Sequence, residues 1–331
     1  LAYGLEQLEL GGGAIVKQEG AGVTDNIPII VIVGPTAVGK TALGVALGEQ
    51  LEGEIISADS HQFYRKMNIG TAKPTPQERS RVRHHLIDIA DPDQTVGLAR
   101  FLQLARQTIQ DVAARGKLPF IVGGTGQYIR ALLEGWQVPE VPPDPELRRR
   151  LEQRAHEDPH SLWAELLWLD PAAADIIDPR NIRRVIRALE VTLKTGRPFS
   201  EQRRRRRPPY RTLTLGLTME RQALYARADA RVDAMMGAGL LGEVQSLLEE
   251  GYDWSLPAMS ALGYIQFRPY FEGERSLEEV VAQIKRDTHA FIRRQYTWFR
   301  LSDPQICWLR ATDPELHRKA LVLIQDFLNA A

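Results

Sequence analysis

"VGPTAVGKTAL", residues 33–43, decides how the rest of the chain is read. It fits G-x-x-x-x-G-K-[ST], from Gly34 through Pro35, Thr36, Ala37, Val38 and Gly39 to Lys40 and Thr41. The run before it, "IPIIVIVG", is continuously apolar and β-branched, the pattern of a strand buried on both faces. The run after it, "KTALGVALGEQLEG", has helical apolar spacing and ends on glycine. Strand, glycine-rich loop and helix form the context in which this motif binds phosphate. The loop turns backbone N–H groups inward, and the helix offers the positive end of its dipole. Lys40 reaches a terminal phosphate, and the Thr41 hydroxyl suits Mg²⁺. The motif leaves open whether the phosphate is fuel or part of a substrate that will depart.

Working outward, "EIISADS" reads as a second strand, with Asp59 and Ser60 at its carboxyl end. "HHLIDI" (84–89) and "LPFIVGG" (118–124) supply two more, separated by a helix over 98–115. Strands alternating with helices predict a doubly wound parallel sheet, whose ligand crevice lies beyond the strand carboxyl ends. That rule brings Asp59, Asp88 and the Gly123-Gly124-Thr125 turn near the phosphate loop.

The pattern changes after Trp136, where "VPEVPPDPE" is a proline-rich boundary. Residues 144–200 read as helical, with breaks at Pro159, Pro171 and Pro179. "YRTLTLGLTM" (210–219) returns to strand alternation, and helices follow to about residue 250 and again over 276–300. The expected fold is an α/β, P-loop NTPase-like core, a parallel sheet flanked by helices, with a helical insertion. The core comprises 28–135 and 208–331, the insertion 136–207, and residues 1–27 a flexible, glycine-rich extension.

Composition narrows the function classes. The 331 residues are 44% hydrophobic and 25% charged with zero formal net charge, so a nucleic-acid surface requires uneven charge placement. Unevenness is present: 147–211 holds 16 Lys and Arg against 9 Asp and Glu, including "RRRRR" at 203–207. Such a segment either neutralises phosphates or is a solvated face. A single cysteine, Cys307, excludes an internal disulfide framework and a multi-cysteine zinc site. No apolar run approaches a membrane span, so no membrane role is expected, and a cytoplasmic monomer is.

The stretch "SADSHQFYRKMNIGTAKP" (57–74) carries most of the remaining chemistry. Asp59, at a strand end beside phosphate, is either a Mg²⁺-associated carboxylate or a general base. Ser60, His61, Gln62 and Tyr64 crowd hydrogen-bonding and stacking groups suited to a base edge. His84 and His85 lack a third metal ligand at a recognisable spacing and read as structural. Asp88 could support Mg²⁺ through water. Thr125, after two glycines, either caps a helix or touches a ligand. Arg183 and Arg187 are spaced four apart, as are Arg227 and Arg231, which puts each pair on one helix face.

Six stretches, "GPTAVGKT", "DSHQFYRKMNIGTAKP", "HHLID", "VGGTGQYIRALLEG", "NIRRVIRALE" and "ALGY" (261–264), run in the order found in the tRNA dimethylallyltransferases, or tRNA isopentenyltransferases. The chain resembles that family over roughly residues 28–310. The single cysteine leaves no Cys/His zinc-finger tail, which points to the bacterial type. Before "GY" the family often carries an arginine, where this chain has "MSAL" with Ser260.

The resemblance implies transfer of a dimethylallyl group from dimethylallyl diphosphate to N6 of the adenosine 3′-adjacent to the anticodon. The acceptors are tRNAs reading codons that begin with U. It makes Asp59 the general base and Thr36 a hydrogen-bond partner of the bridging oxygen. Lys40, Thr41 and Arg231 would steady the leaving diphosphate with Mg²⁺, Arg227 being the other candidate arginine. Asp59, Ser60, His61 and Gln62 would face the base of a tRNA anticodon stem-loop. Thr125, Arg148 and the segment Arg183, Arg184, Val185, Ile186, Arg187 would contact the tRNA too.

Three rival readings remain distinct. An adenylate isopentenyltransferase would use free AMP, ADP or ATP as acceptor, and would not need a basic insertion. A P-loop small-molecule kinase would transfer a γ-phosphoryl group. An RNA-binding regulator with a disabled phosphate loop would not need intact Gly39-Lys40-Thr41 and Asp59.

Overall fold

The computed structural model describes residues 26–139, 141–202 and 204–330. The run that opens the reading is strand β1 (Ile27–Val33), followed by helix α1 (Lys40–Gln50) and β2 (Gly53–Ser57). Next come α2 (Pro76–Arg81), β3 (His84–His85), α3 (Leu98–Ala114), β4 (Leu118–Val122) and α4 (Gly126–Leu133). A short strand, β5 (Trp136–Gln137), leads into α5 (Pro145–Glu157), α6 (Pro159–Leu169), α7 (Ile182–Thr195) and α8 (Phe199–Gln202). The chain returns through β6 (Arg204–Arg205) to β7 (Tyr210–Thr218), α9 (Arg221–Gly237) and α10 (Leu240–Glu249). It closes with α11 (Arg268–Phe271), α12 (Leu277–Trp298), β8 (Ile306–Arg310) and α13 (Leu316–Asn329).

Six strands form one sheet in the order β3-β2-β4-β1-β7-β8, and every adjacent pair is parallel. Alternate residues of β1 feed opposite layers. Ile29 and Val31 pack with Phe101 and Ile109 of α3 and Ile129 of α4. Ile30 and Ile32 pack with Leu43 and Leu47 of α1 and Ile324 of α13. Each fully buried Ile or Leu contributes roughly 1.5–3 kcal/mol, so a strand buried on both faces anchors both layers. Among the described residues no helix is long and apolar enough to cross a membrane.

The structure departs from the sequence reading at several points. The N-terminal extension was expected to run to residue 27, but Ile27 opens β1 and its N–H donates to the Pro209 carbonyl at 3.0 Å. Residues 1–25 lie outside the described residues. The strand expected over 84–89 stops at His85. Leu86 and Asp88 adopt left-handed φ of 58° and 56°, and Asp88, Ile89 and Ala90 donate to the carbonyls of Gln62 and Phe63. The edge strand β8 carries no clear alternation in "ICWLR", yet it pairs with β7 from Thr214 to Thr218. The helical break expected at Pro159, by contrast, is present: α5 ends at Glu157 and Pro159 opens the first turn of α6, with Asp158 capping the His160 N–H.

Residues between the antiparallel pair β5 and β6 have their own apolar cluster, built from Leu151, Leu162, Leu166, Val185 and Leu189 among others. Its polar fastening is Glu190, whose side chain is fully buried. That carboxylate accepts from Arg148 Nε and Nη2 at 2.8 Å each, from Arg187 Nη1 at 2.5 Å and from the Asp144 N–H at 2.8 Å. Replacing Glu190 with alanine leaves these donors unmatched and is expected to cost about 3 kcal/mol locally. Hydrogen exchange should then accelerate over α5 and α7 while β1 and α1 stay protected. Unchanged exchange in α5 and α7 would contradict the role given to Glu190.

Candidate active site

The phosphate loop crosses from β1 to α1 at the carboxyl edge of the sheet. Gly34 has φ 144°, and a Cβ there would sit 2.5 Å from the Leu217 carbonyl oxygen, so the first turn admits no side chain. Lys40 Nζ donates to the carbonyls of Gly34 and Pro35 at 3.0 and 2.8 Å, holding its ammonium inside the loop. Burial lowers its pKa to about 8, with Asp59 opposing the shift and Arg231 adding to it.

Lys40, Thr36 and Thr41 open onto a cavity of about 360 Å³ that Asp59, Ser60, His61, Gln62, Thr125 and Arg231 also line. Asp59 lies two residues past the end of β2, and its Oδ1 accepts the His61 N–H at 3.0 Å. Thr125 Oγ1 accepts the Ser60 N–H at 3.1 Å, so the turn after β4 braces the turn after β2. Its side chain caps no α4 N–H and lines the cavity. Burial lowers the pKa of His61, Asp59 opposing, and keeps the ring neutral near neutral pH. Arg231 is lowered by burial, with Asp59 opposing and Arg227 adding, so two cations and one carboxylate share the same space. Arg231 lines the cavity, whereas Arg227 is exposed beside Gly39, its guanidinium 3.6 Å from where a Cβ would stand.

Two further side chains, marked by no motif, complete the wall. Gln295 of α12 is buried, accepts the Thr36 N–H on Oε1 at 2.7 Å and donates from Nε2 to the Gly124 carbonyl at 3.1 Å. Trp298, one turn on, packs against Gly126. Both lie in an amphipathic helix whose spacing marks a buried face without saying what that face touches. Apolar residues Val232, Met235, Ile284 and Phe291 line the cavity beside these polar groups.

Other expected site residues lie elsewhere. Asp88 is not at the cavity. Its carboxylate is held by Lys73 at 2.6 Å and Arg79 at 2.9 Å, because the left-handed turn at 86–88 swings it toward the 73–79 segment. Gln62 lines the cavity, but its amide is already engaged by Ser57, Thr71 and Ala72. Within the segment 183–187, the side chains of Val185 and Ile186 are 0% and 5% exposed and fill the insertion's apolar cluster, so any contact they make with a tRNA is through backbone. Arg148 and Arg187, both partly exposed, direct part of their guanidinium donors to Glu190. Arg183 and Arg184 are exposed and have no ion-pair partner among the described residues.

The cavity's donor set bears on metal binding. Among the described residues no group of three or more His, Cys, Asp or Glu side chains is arranged to hold a metal. A hydroxyl such as Thr41 fits Mg²⁺ that is carried largely by substrate phosphate oxygens and water.

Comparisons with known proteins agree with this architecture. The family model for IPP transferase matches residues 62–302, and the model for isopentenyl transferase matches residues 27–96. The tRNA dimethylallyltransferase of Roseiflexus sp. (strain RS-1) is 57% identical over 305 residues, covering 92% of this chain and 100% of that protein. That of Chloroflexus aggregans is 60% identical over 273 residues, covering 82% and 92%. The crystal structure of the tRNA isopentenylpyrophosphate transferase of Bacillus halodurans aligns with a TM-score of 0.68 at 38% identity, covering 92% of this chain and 99% of that one. A eukaryotic dimethylallyltransferase crystallised acting on tRNA aligns with a TM-score of 0.78 at 29% identity, covering 92% and 80%. With a family model spanning most of the chain and relatives above half identity, this protein belongs to the IPP transferase family of tRNA dimethylallyltransferases.

Proposed function

We propose that the chain transfers the dimethylallyl group of dimethylallyl diphosphate to N6 of the adenosine 3′-adjacent to the anticodon, in tRNAs reading codons that begin with U. The observation that carries this reading is the convergence of Asp59 with Lys40, Thr41 and Arg231 on one cavity. A carboxylate facing two cations across a phosphate loop suits a reaction in which one proton leaves and one anion departs.

In the proposed step, N6 attacks C1 of the dimethylallyl group while the C1–O bond breaks and its electron pair passes to the diphosphate. Asp59 takes the N6 proton, which an exocyclic amine must lose as the C–N bond forms. Thr36 donates its hydroxyl to the bridging oxygen, and Lys40 and Arg231 meet the charge arriving on the leaving group. Bound with the diphosphate and the Thr41 hydroxyl, Mg²⁺ would neutralise part of that charge. The base must be unstacked and extruded to enter the cavity, where Ser60, His61, Gln62 and Thr125 would surround it. A tRNA acceptor implies a cytoplasmic reaction, and the helical insertion over 136–207 is proposed to hold the anticodon stem-loop through Arg183 and Arg184.

Side-by-side assays with dimethylallyl diphosphate and an anticodon stem-loop, AMP or ADP test the acceptor. Transfer only to free nucleotides would defeat this reading. Asp59→Ala is expected to lower kcat by about 10²–10⁴ with stem-loop affinity within a few-fold. Near-normal kcat would remove the general-base role.

Charge reversal is not needed to probe the insertion. Arg183→Gln with Arg184→Gln should reduce the salt slope of stem-loop binding by about one per arginine. A slope equal to wild type would return both to a solvated surface.

The Lys40 pKa gives a pH signature. Diphosphate beside Nζ favours the ammonium, so its binding raises a pKa that stands at about 8 in the free protein. Below that pH the lysine is already charged. Above it, binding must take up a proton, and affinity falls by up to about tenfold per pH unit. Calorimetry with inorganic diphosphate, in buffers of different ionisation heat, should show this uptake in the wild type and not in Lys40→Arg, whose charge does not titrate. Identical proton uptake in both would remove Lys40 from the diphosphate site.

A further inference from the structure

The segment 68–74 lines the cavity through Gly70, Thr71, Ala72 and Pro74, yet its shape is set from outside. Three successive backbone N–H groups, of Asn68, Ile69 and Gly70, donate to the carboxylate of Glu243 on α10, at 2.8, 2.9 and 3.2 Å. Tyr264, in the "ALGY" stretch, donates its hydroxyl to the same carboxylate at 2.6 Å. The phenol is pushed well above its ordinary pKa, first by burial and then by the Glu243 charge, so it remains a donor. A Cβ on Gly70 would lie 2.4 Å from the Tyr264 ring, so loop and ring are in direct contact.

The order imposed on this loop passes to the residues around Asp59. The carbonyls of Thr71 and Ala72 accept from Gln62 Nε2 at 3.3 Å each, and Gln62 Oε1 accepts from Ser57 Oγ at 2.9 Å. Both ends of the Gln62 amide are therefore fixed. Among the described residues, none of the hydrogen bonds made by 68–74 reaches the phosphate loop at 34–41. The loop is hydrogen-bonded to the wall at Gln62 and makes no direct hydrogen bond to the groups that hold phosphate.

We propose that Glu243 is a positioning residue for the acceptor: with Tyr264 it sets the 68–74 loop, and through it Gln62, into the wall against which the acceptor nucleobase seats. This rests on the reading of the acceptor as a tRNA adenosine. The carboxylate accepts from four donors, whereas an amide of the same size offers one acceptor oxygen and turns N–H groups toward N–H donors. Glu243→Gln therefore disturbs the loop with almost no change in volume.

The experiment uses full-length wild type, Glu243→Gln and Tyr264→Phe, each assayed well below its melting temperature. It measures kcat and separate KM values for dimethylallyl diphosphate and for an anticodon stem-loop. Glu243→Gln should raise the stem-loop KM about tenfold or more, as expected for losing charge-assisted hydrogen bonds, and leave the diphosphate substrate's KM within about twofold. Tyr264→Phe should move the same constant in the same direction by less. A folded Glu243→Gln with an unchanged stem-loop KM, or with both KM values rising together, overturns the proposal. If that variant does not fold, Tyr264→Phe and Glu243→Asp carry the same split. Wild-type transfer to AMP but not to the stem-loop would overturn the tRNA reading alone, and the split would then be read with AMP as acceptor.

Discussion

A single buried amide joins the parts on which the cavity depends. Gln295 holds the Thr36 N–H and the Gly124 carbonyl at once, linking the phosphate loop to the turn after β4 from a position 259 residues downstream of Thr36. Buried polar groups must be matched, and here one side chain matches a donor and an acceptor on two different loops. The arrangement fixes the distance between the loop that carries Lys40 and the turn that carries Thr125. Ser60, bonded to Thr125, is fixed in turn, and Asp59 with it. The geometry facing a substrate is therefore a property of the α12 contact as much as of the motifs.

The electrostatics follow the same division between holding and acting. Inside the cavity, Lys40 and Arg231 are lowered by burial and only partly relieved by Asp59, which leaves the site short of negative charge. A diphosphate would relieve that imbalance, the physical counterpart of preorganisation. In the insertion, arginines differ in what they meet. Arg148 and Arg187 are tied to a fully buried carboxylate, Arg148 thereby joining α5 to α7, whereas Arg183 and Arg184 are exposed with no ion-pair partner among the described residues. An excess of basic residues in a sequence does not say which of them is available.

Much of the core was legible because its signals are local. The unbroken apolar run of β1, the glycines of the phosphate loop and the helical spacing of α1 each follow from steric and burial rules that act over a few residues. The apolar pattern over 84–89 extends past the actual strand because left-handed residues at Leu86 and Asp88 leave no mark in a hydrophobic pattern. The strand β8 was missed for the converse reason: it is an edge strand whose five residues gain their conformation from pairing with β7. Val185 and Ile186 sit between arginines in a motif, and only the packing of α7 shows that they face inward.

Residue type and short-range spacing specify the chemistry on offer: a phosphate loop, a carboxylate at a strand end and a basic helical segment. Which of those groups meet is set by the packing of distant segments. Asp59 and Arg231 share a cavity and Asp88 does not, because ion pairing with Lys73 and Arg79 outweighs proximity in the strand pattern. Gln295, Glu243 and Tyr264 acquire their roles only through hydrogen bonds between distant segments, which no local periodicity encodes.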